Sequence, residues 1–216
     1  MNVGMCMTRG VASIEPGESI GAAASLMIAR HIRRLPVVER RADGPHVVGI
    51  VTSRDLFRAS PVHVNPLGVM ALENLQSDIS VSDVMKHHPI TTTPDAPIEE
   101  AAQTMSDHKI GGIPVVEKGL LVGIITESDI FRAFVEMLKS PSGSARITFS
   151  VAQGEDIFDV MHRLSVPRKV RVISLNTSLH HETPVCVVRV AEGDLDAFLD
   201  DVWRSGHQVK NVLRIT

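Results

Sequence analysis

Two threonine–aspartate pairs at one spacing, Thr52-x-x-Asp55 and Thr126-x-x-Asp129, are the residues in this chain best placed to do chemistry. Each lies between an apolar run and an amphipathic one. Val48 to Ala59 reads VGIVTSRDLFRA and Val122 to Ala133 reads VGIITESDIFRA, with eight of twelve positions identical. The simplest role for such a pair is a capping box that opens a helix. The same geometry also builds an anion site, because the first helical turn presents unpaired N–H groups and the positive end of the dipole. A threonine hydroxyl there can donate to a phosphate oxygen, and an aspartate one turn on can accept from both hydroxyls of a ribose. Gly49 and Gly123 are expected to leave room beside the strand. Leu35-Pro36-Val37 and Ile113-Pro114-Val115 are expected to offer apolar surface and backbone groups without full sheet partners, which suits an adenine ring.

The elements that must position these pairs come in two copies. RRLPVVE (33–39) matches GGIPVVE (111–117) at an offset of 78, whereas the Thr-x-x-Asp stretches are offset by 74, so the first copy carries four extra residues, expected at a turn tip in VERRADGPHVVG. Each copy predicts an extended piece ending in a Pro turn (GVASIEPG; PITTTPD), a helix (SIGAAASLMIARH; PIEEAAQTMSDHK), two β-branched strands and a second helix. A unit of this size buries only a marginal core alone, so the copies are expected to pack together around a pseudo-two-fold axis with ligand clefts. After SPSGSA the reading becomes strand (ARITFSVA), helix (EDIFDVMHRLS), strand (KVRVISLNTS), strand (PVCVVRVA), helix (DLDAFLDDVWRSG), strand (QVKNVLRI), a ferredoxin-like βαββαβ plan with Asp194 as N-cap and Gly206 as stop. The fold class is therefore α/β (α+β). The expected divisions are 1–60 and 84–139 for the repeats, 61–83 for a connector, 140–145 for a linker and 146–216 for the last domain.

The repeated Leu/Ile-Pro-Val-Val block followed by Gly-apolar-apolar-Thr-x-x-Asp resembles the CBS domain, and the pair, over roughly residues 1–139, resembles a Bateman module. The resemblance implies that Thr52, Asp55, Thr126 and Asp129 hold the phosphate and ribose of an adenosine ligand: AMP, ADP or ATP, with S-adenosylmethionine or a dinucleotide as alternatives. It also implies that Ala12 and Ser13 or Ile90 and Thr91, with Ile32 to Leu35 or Ile110 to Ile113 and Pro114, flank the adenine, and that Ala23 and Ala101 are small enough for the base to approach. The two clefts are not equivalent. Arg33 and Arg34 stand where the second copy has Gly111 and Gly112. The expectation is an open nucleoside site at Thr126 and Asp129, with Arg33 or Arg34 reaching its phosphates across the interface; the alternative is that both arginines are simply solvated. The last domain resembles the ACT domain, although its Gln153-Gly154-Glu155 turn lacks the Pro-Gly of amino-acid-binding members. The CBS-CBS-ACT order is similar to the acetoin-utilisation (AcuB) family; the resemblances together imply a non-catalytic regulator with an unidentified protein target, and the pairing of Bateman modules into discs and of ACT sheets edge to edge implies a homodimer.

Composition narrows the field further. A net charge of −3 and 3% aromatics, without Tyr, argue against nucleic-acid binding. No apolar run approaches the roughly 20 residues of a membrane span, and no signal peptide is evident, so the expected location is cytoplasmic with Cys6 and Cys186 reduced. His87-His88 and His180-His181 read as surface or turn residues rather than metal ligands, and Glu99-Glu100 and Asp200-Asp201 as solvated faces. Methionines read mostly as helical gap fillers. No nucleophile–base motif argues for an enzyme. The rival to a nucleotide sensor is an oligomeric interaction scaffold with vestigial clefts and an ACT-like domain for assembly or amino-acid binding.

Overall fold

The computed structural model describes residues 1–59, 79–152, 154–180 and 183–215. They fall into two compact units, Met1–Glu136 and Met137–Thr216. In the first unit the copies repeat element for element. Copy one runs α1 (Val3–Cys6), β1 (Thr8–Arg9), α2 (Ile20–Ala29), β2 (Arg34–Arg41), β3 (Gly44–Thr52), α3 (Ser53–Ala59). Copy two runs α4 (Val81–Val84), β4 (Lys86–His87), α5 (Ile98–His108), β5 (Gly112–Glu117), β6 (Leu120–Thr126), α6 (Glu127–Leu138). Most of the expected connector, residues 60–78, lies outside the described residues; its end, Ser80 to Asp83, forms the capping box of α4. Left-handed positions repeat too: His31 and Lys109 have φ of 51° and 54° just past α2 and α5.

The short first strands are exchanged between copies. Strand β1 pairs with β6 of copy two, and β4 pairs with β3 of copy one. Val3 and Met7 accordingly sit in the core of copy two with Ala101, Met105, Ile113, Val115 and Ile125, while Val81 and Met85 belong to the core of copy one. This exchange corrects the reading of Gly49 and Gly123. A Cβ on Gly49 would stand 2.3 Å from Met85 Sδ, and one on Gly123 would stand 2.5 Å from Met7 Sδ and 3.0 Å from the Thr8 carbonyl oxygen. The space beside each strand is therefore filled by an exchanged methionine. Gly123→Ala should lower stability by about 1–3 kcal/mol in urea unfolding, since backbone as well as thioether must move. Gly49→Ala should cost less, because the atoms nearest the new methyl all belong to the pliant Met85 side chain.

Other expectations change for similar reasons. The four extra residues do not enlarge a turn tip: Arg40 pairs with Pro45 and Arg41 with Gly44, so they lengthen the first hairpin and bring His46 to Leu120 of the second. Pro36 and Pro114 keep their backbone partners, their carbonyls accepting from Ile14 N and Thr92 N, both at 3.1 Å. Ala23 and Ala101 are buried in the two cores, so their small size serves helix packing. Met27, Met105 and Met161 are helical core residues, whereas Met5 and Met137 are exposed; Met70 lies outside the described residues.

The second unit runs β7 (Ser144–Ser150), α7 (Ile157–Ser165), β8 (Arg171–His180), β9 (Thr183–Ala191), α8 (Leu195–Arg204), β10 (Val209–Ile215). Its antiparallel sheet has the order β10-β7-β9-β8. Alternation sends Ala145, Ile147 and Phe149 of β7 and Cys186, Val188 and Val190 of β9 to one face, where they pack against Val160, Phe198 and Val202 of the helices. Asp194 caps α8 by accepting from Ala197 N at 3.0 Å, and Gly206, at φ 87°, ends the segment that follows it. Asp201 is not a solvated acid: Arg168 donates to it at 2.6 and 3.1 Å, tying α8 to the turn before β8. Burial pushes the Cys186 thiol up to about 11, which leaves it inert at neutral pH. Gln153, and with it part of the expected Gln-Gly-Glu turn, and His181 lie outside the described residues, whereas His87 and His88 are exposed. Among the described residues no helix is long and apolar enough to cross a membrane.

Candidate functional site

Thr126 ends β6 and Asp129 lies in the first turn of α6. The Thr126 hydroxyl donates to Asp129 Oδ2 at 2.7 Å, Thr126 N donates to the same oxygen at 3.0 Å, and Asp129 N donates to Thr126 Oγ1 at 3.3 Å. Copy one repeats this box with 2.6, 2.9 and 3.3 Å between Thr52 and Asp55. Both pairs therefore cap their helices. In copy two the second carboxylate oxygen, Oδ1, is held differently: Arg132 Nη1 donates to it at 3.2 Å, and Asp129 is only 5% exposed.

Above Asp129 opens a cleft of about 450 Å³ that draws on both copies. Copy two supplies Thr126 to Asp129, Arg132 and Gly111; copy one supplies the segment after β1, including Val11 and Ala12, and Arg30 to Arg34. The β1 exchange explains the mixture, because it pairs Thr8 and Arg9 with β6 and so brings Gly10 to Ala12 to the cleft. Of the residues marked by sequence, Thr126, Asp129, Ile32, Arg33, Arg34, Gly111 and Ala12 meet here. Ser13, Thr91, Gly112, Ile113 and Pro114 are not among those lining this cleft: Ile113 and Pro114 are buried in β5 and Thr91 is exposed. Thr52 and Asp55 lie at the start of the other copy's helix.

Arg34 corrects the expectation that the glycine pair opens empty space. A Cβ on Gly111 would be 2.6 Å from Arg34 Nη2, and one on Gly112 2.3 Å from Arg34 Nη1. The guanidinium of one copy thus occupies the shelf that the glycines of the other create. Burial lowers the basicity of this guanidinium and Arg33 adds to the effect, while the carboxylates of Glu127 and Asp129 oppose it. An anion entering the cleft would join a group already desolvated and only partly compensated. The sequence reading missed Arg30, His31, Glu127 and Arg132. Arg132 had a signal, since it stands three residues after Asp129 and is matched by Arg58 in copy one. His31 had none, because its approach depends on the left-handed turn that ends α2.

The CBS domain model matches residues 3–62 and 81–136. Solved structures similar to the pair include the following three. One, assigned as the acetoin utilization protein AcuB of Vibrio cholerae, shares 33% identity with a TM-score of 0.53, over 64% of this chain and 94% of that one. The CBS domain pair of protein MJ0100, in complex with 5-methylthioadenosine and S-adenosyl-L-methionine, shares 29% identity at TM-score 0.52, over 63% and 97%. CBSX2 of Arabidopsis thaliana in complex with AMP shares 25% identity at TM-score 0.51, over 64% and 98%. With more than half of its residues matched in two tandem blocks, the chain belongs to the CBS domain family.

Proposed function

We propose that this chain is a non-catalytic regulatory protein whose CBS pair senses an adenine nucleotide, with the cleft at Asp129 as its principal site. One observation carries the reading: the only partly compensated Arg34 guanidinium lies at the same cleft as Asp129, although the two come from different copies. In this assignment Asp129 Oδ1 exchanges Arg132 for the ribose hydroxyls. Arg33 and Arg34, with Arg30 nearby, take the phosphates, and Ala12 and Ile32 border the base. The adenosine compounds held by the MJ0100 pair and by CBSX2 support the ligand class. We assign residues 1–60 and 81–138 to the sensing repeats, 61–80 to their connector, 139–143 to a linker and 144–216 to an ACT-type domain that passes occupancy to a protein target; the expected bounds at 84 and 146 move because α4 begins at Val81 and β7 at Ser144. A role in acetoin metabolism follows the likeness to AcuB, and we read the chain as a homodimer. The exposed apolar side chains of α6, Phe131, Phe134 and Val135, favour self-association.

The scaffold reading has one observation in its favour, that both Thr–Asp boxes already close on themselves. Thermal unfolding separates the two. Nucleotide at 100 times its dissociation constant should add about 2.7 kcal/mol of stability, and AMP, ADP and ATP should differ because the cleft is rich in arginine. Absence of any shift with all three, together with no adenosine compound released from the purified protein by mass spectrometry, would leave only the scaffold.

A further inference from the structure

The second unit holds two arginines whose placement the nucleotide cleft does not explain. Strands β7 and β9 set Arg146 directly opposite Arg189, and β8 sets Ser174 opposite Arg189 from the other side. The neighbouring residues Ile147, Val188 and Val190 face the helices, so alternation puts Arg146, Arg189 and Ser174 on the opposite face of the sheet. Arg189 is only 5% exposed, and its hydrogen bond runs from Nη1 to Ser174 Oγ at 2.9 Å. Arg168, Arg171 and Arg214 each reach a carboxylate, Asp201, Glu192 and Asp196 respectively. Among the described residues neither Arg146 nor Arg189 has such a partner.

This arrangement is unfavourable as it stands. Like charges directly opposite each other on a sheet repel, and a buried cation is costly unless an anion offsets it. Burial and the neighbouring Arg146 together hold the Arg189 guanidinium below its ordinary basicity. The serine hydroxyl accepts a hydrogen bond but brings no charge. Its own hydrogen stays available, because Oγ serves Arg189 as acceptor. We propose that Arg146, Arg189 and Ser174 bind a small oxyanion, the carboxylate or phosphate group of a metabolite, on the face of the C-terminal sheet opposite α7 and α8. Two forked guanidinium groups and one hydroxyl donor converge on such a group, and its charge removes the repulsion between the strands.

The test uses the full chain carrying Arg33→Ala and Arg34→Ala, so that the phosphate-binding arginines of the nucleotide cleft do not report. Trp203, the one tryptophan, lies in α8 and follows unfolding of this unit by fluorescence. Against sodium chloride at matched ionic strength, phosphate or a carboxylate should raise the midpoint by about 3 °C. Separate arms with phosphate, acetate and citrate identify which oxyanion is preferred. Arg146→Gln should abolish this rise while melting no lower than its parent in chloride, because it also removes the repulsion. The proposal is overturned if none of the three anions raises the midpoint, or if Arg146→Gln responds like its parent. Arg189→Gln repeats the test where it folds; Arg146, only half-buried, decides where it does not.

Discussion

Asp129→Ala should weaken adenine-nucleotide binding by about 100-fold in calorimetric titration, a loss of about 2.8 kcal/mol at 1.4 kcal/mol per factor of ten. The carboxylate is buried, its Oδ2 is committed to Thr126, and its Oδ1 faces the cleft beside Arg132. Hydrogen bonds to a charged group of this kind contribute about 1.5–3 kcal/mol when removed. The substitution also breaks a capping box, at about 0.5–2 kcal/mol, and Asp55→Ala supplies the control. It breaks the same box in copy one, with nearly identical distances. The two variants should therefore lose similar stability, while Asp55→Ala leaves the affinity of the Asp129 cleft within about threefold of the parent. Equal losses of affinity in the two would reduce both aspartates to helix caps. Arg34→Ala discriminates further: removing a phosphate partner should weaken ATP and ADP more than AMP, because the added phosphates are what its guanidinium would meet.

Local periodicity carried most of the fold. The 78-residue offset, the β-branched runs before Thr52 and Thr126, and the capping position at Asp194 all encode structure within a few residues of themselves. The exchange of β1 and β4 was not legible, because a two-residue strand such as Thr8–Arg9 has no periodicity that names its partner. That gap explains the misreadings. Gly49 and Gly123 were visible as conspicuous glycines, yet their reason, the thioethers of Met85 and Met7, lies across the pseudo-two-fold axis. Gly111 and Gly112 were legible as an asymmetry against Arg33 and Arg34. That the second arginine lies upon the glycines follows only once the copies face each other. Of the cleft, the pairing of Asp129 with Arg34 was readable from types and positions. Arg30 and His31 enter through the end of α2, whose geometry no motif announces.

Met7→Ala should destabilise the copy it does not belong to in sequence. Met7 is 8% exposed and packs with Met105, Ile113, Val115 and Ile125 of copy two. Shortening a buried methionine to alanine costs about 2–5 kcal/mol. Hydrogen exchange should therefore show protection falling in β5 and β6 before it falls in β2 and β3. Met85→Ala should show the mirror pattern with a smaller loss, because Met85 is only half-buried. The exchange also makes a quantitative demand on neighbours. Gly123→Ala alone places a methyl 2.5 Å from the Met7 sulfur, and Met7→Ala alone leaves a void at the same point. Combined, the new methyl occupies part of that void, so the double variant should lose about 0.5–3 kcal/mol less than the two single losses added. Strict additivity would mean that Met7 and Gly123 do not share one site.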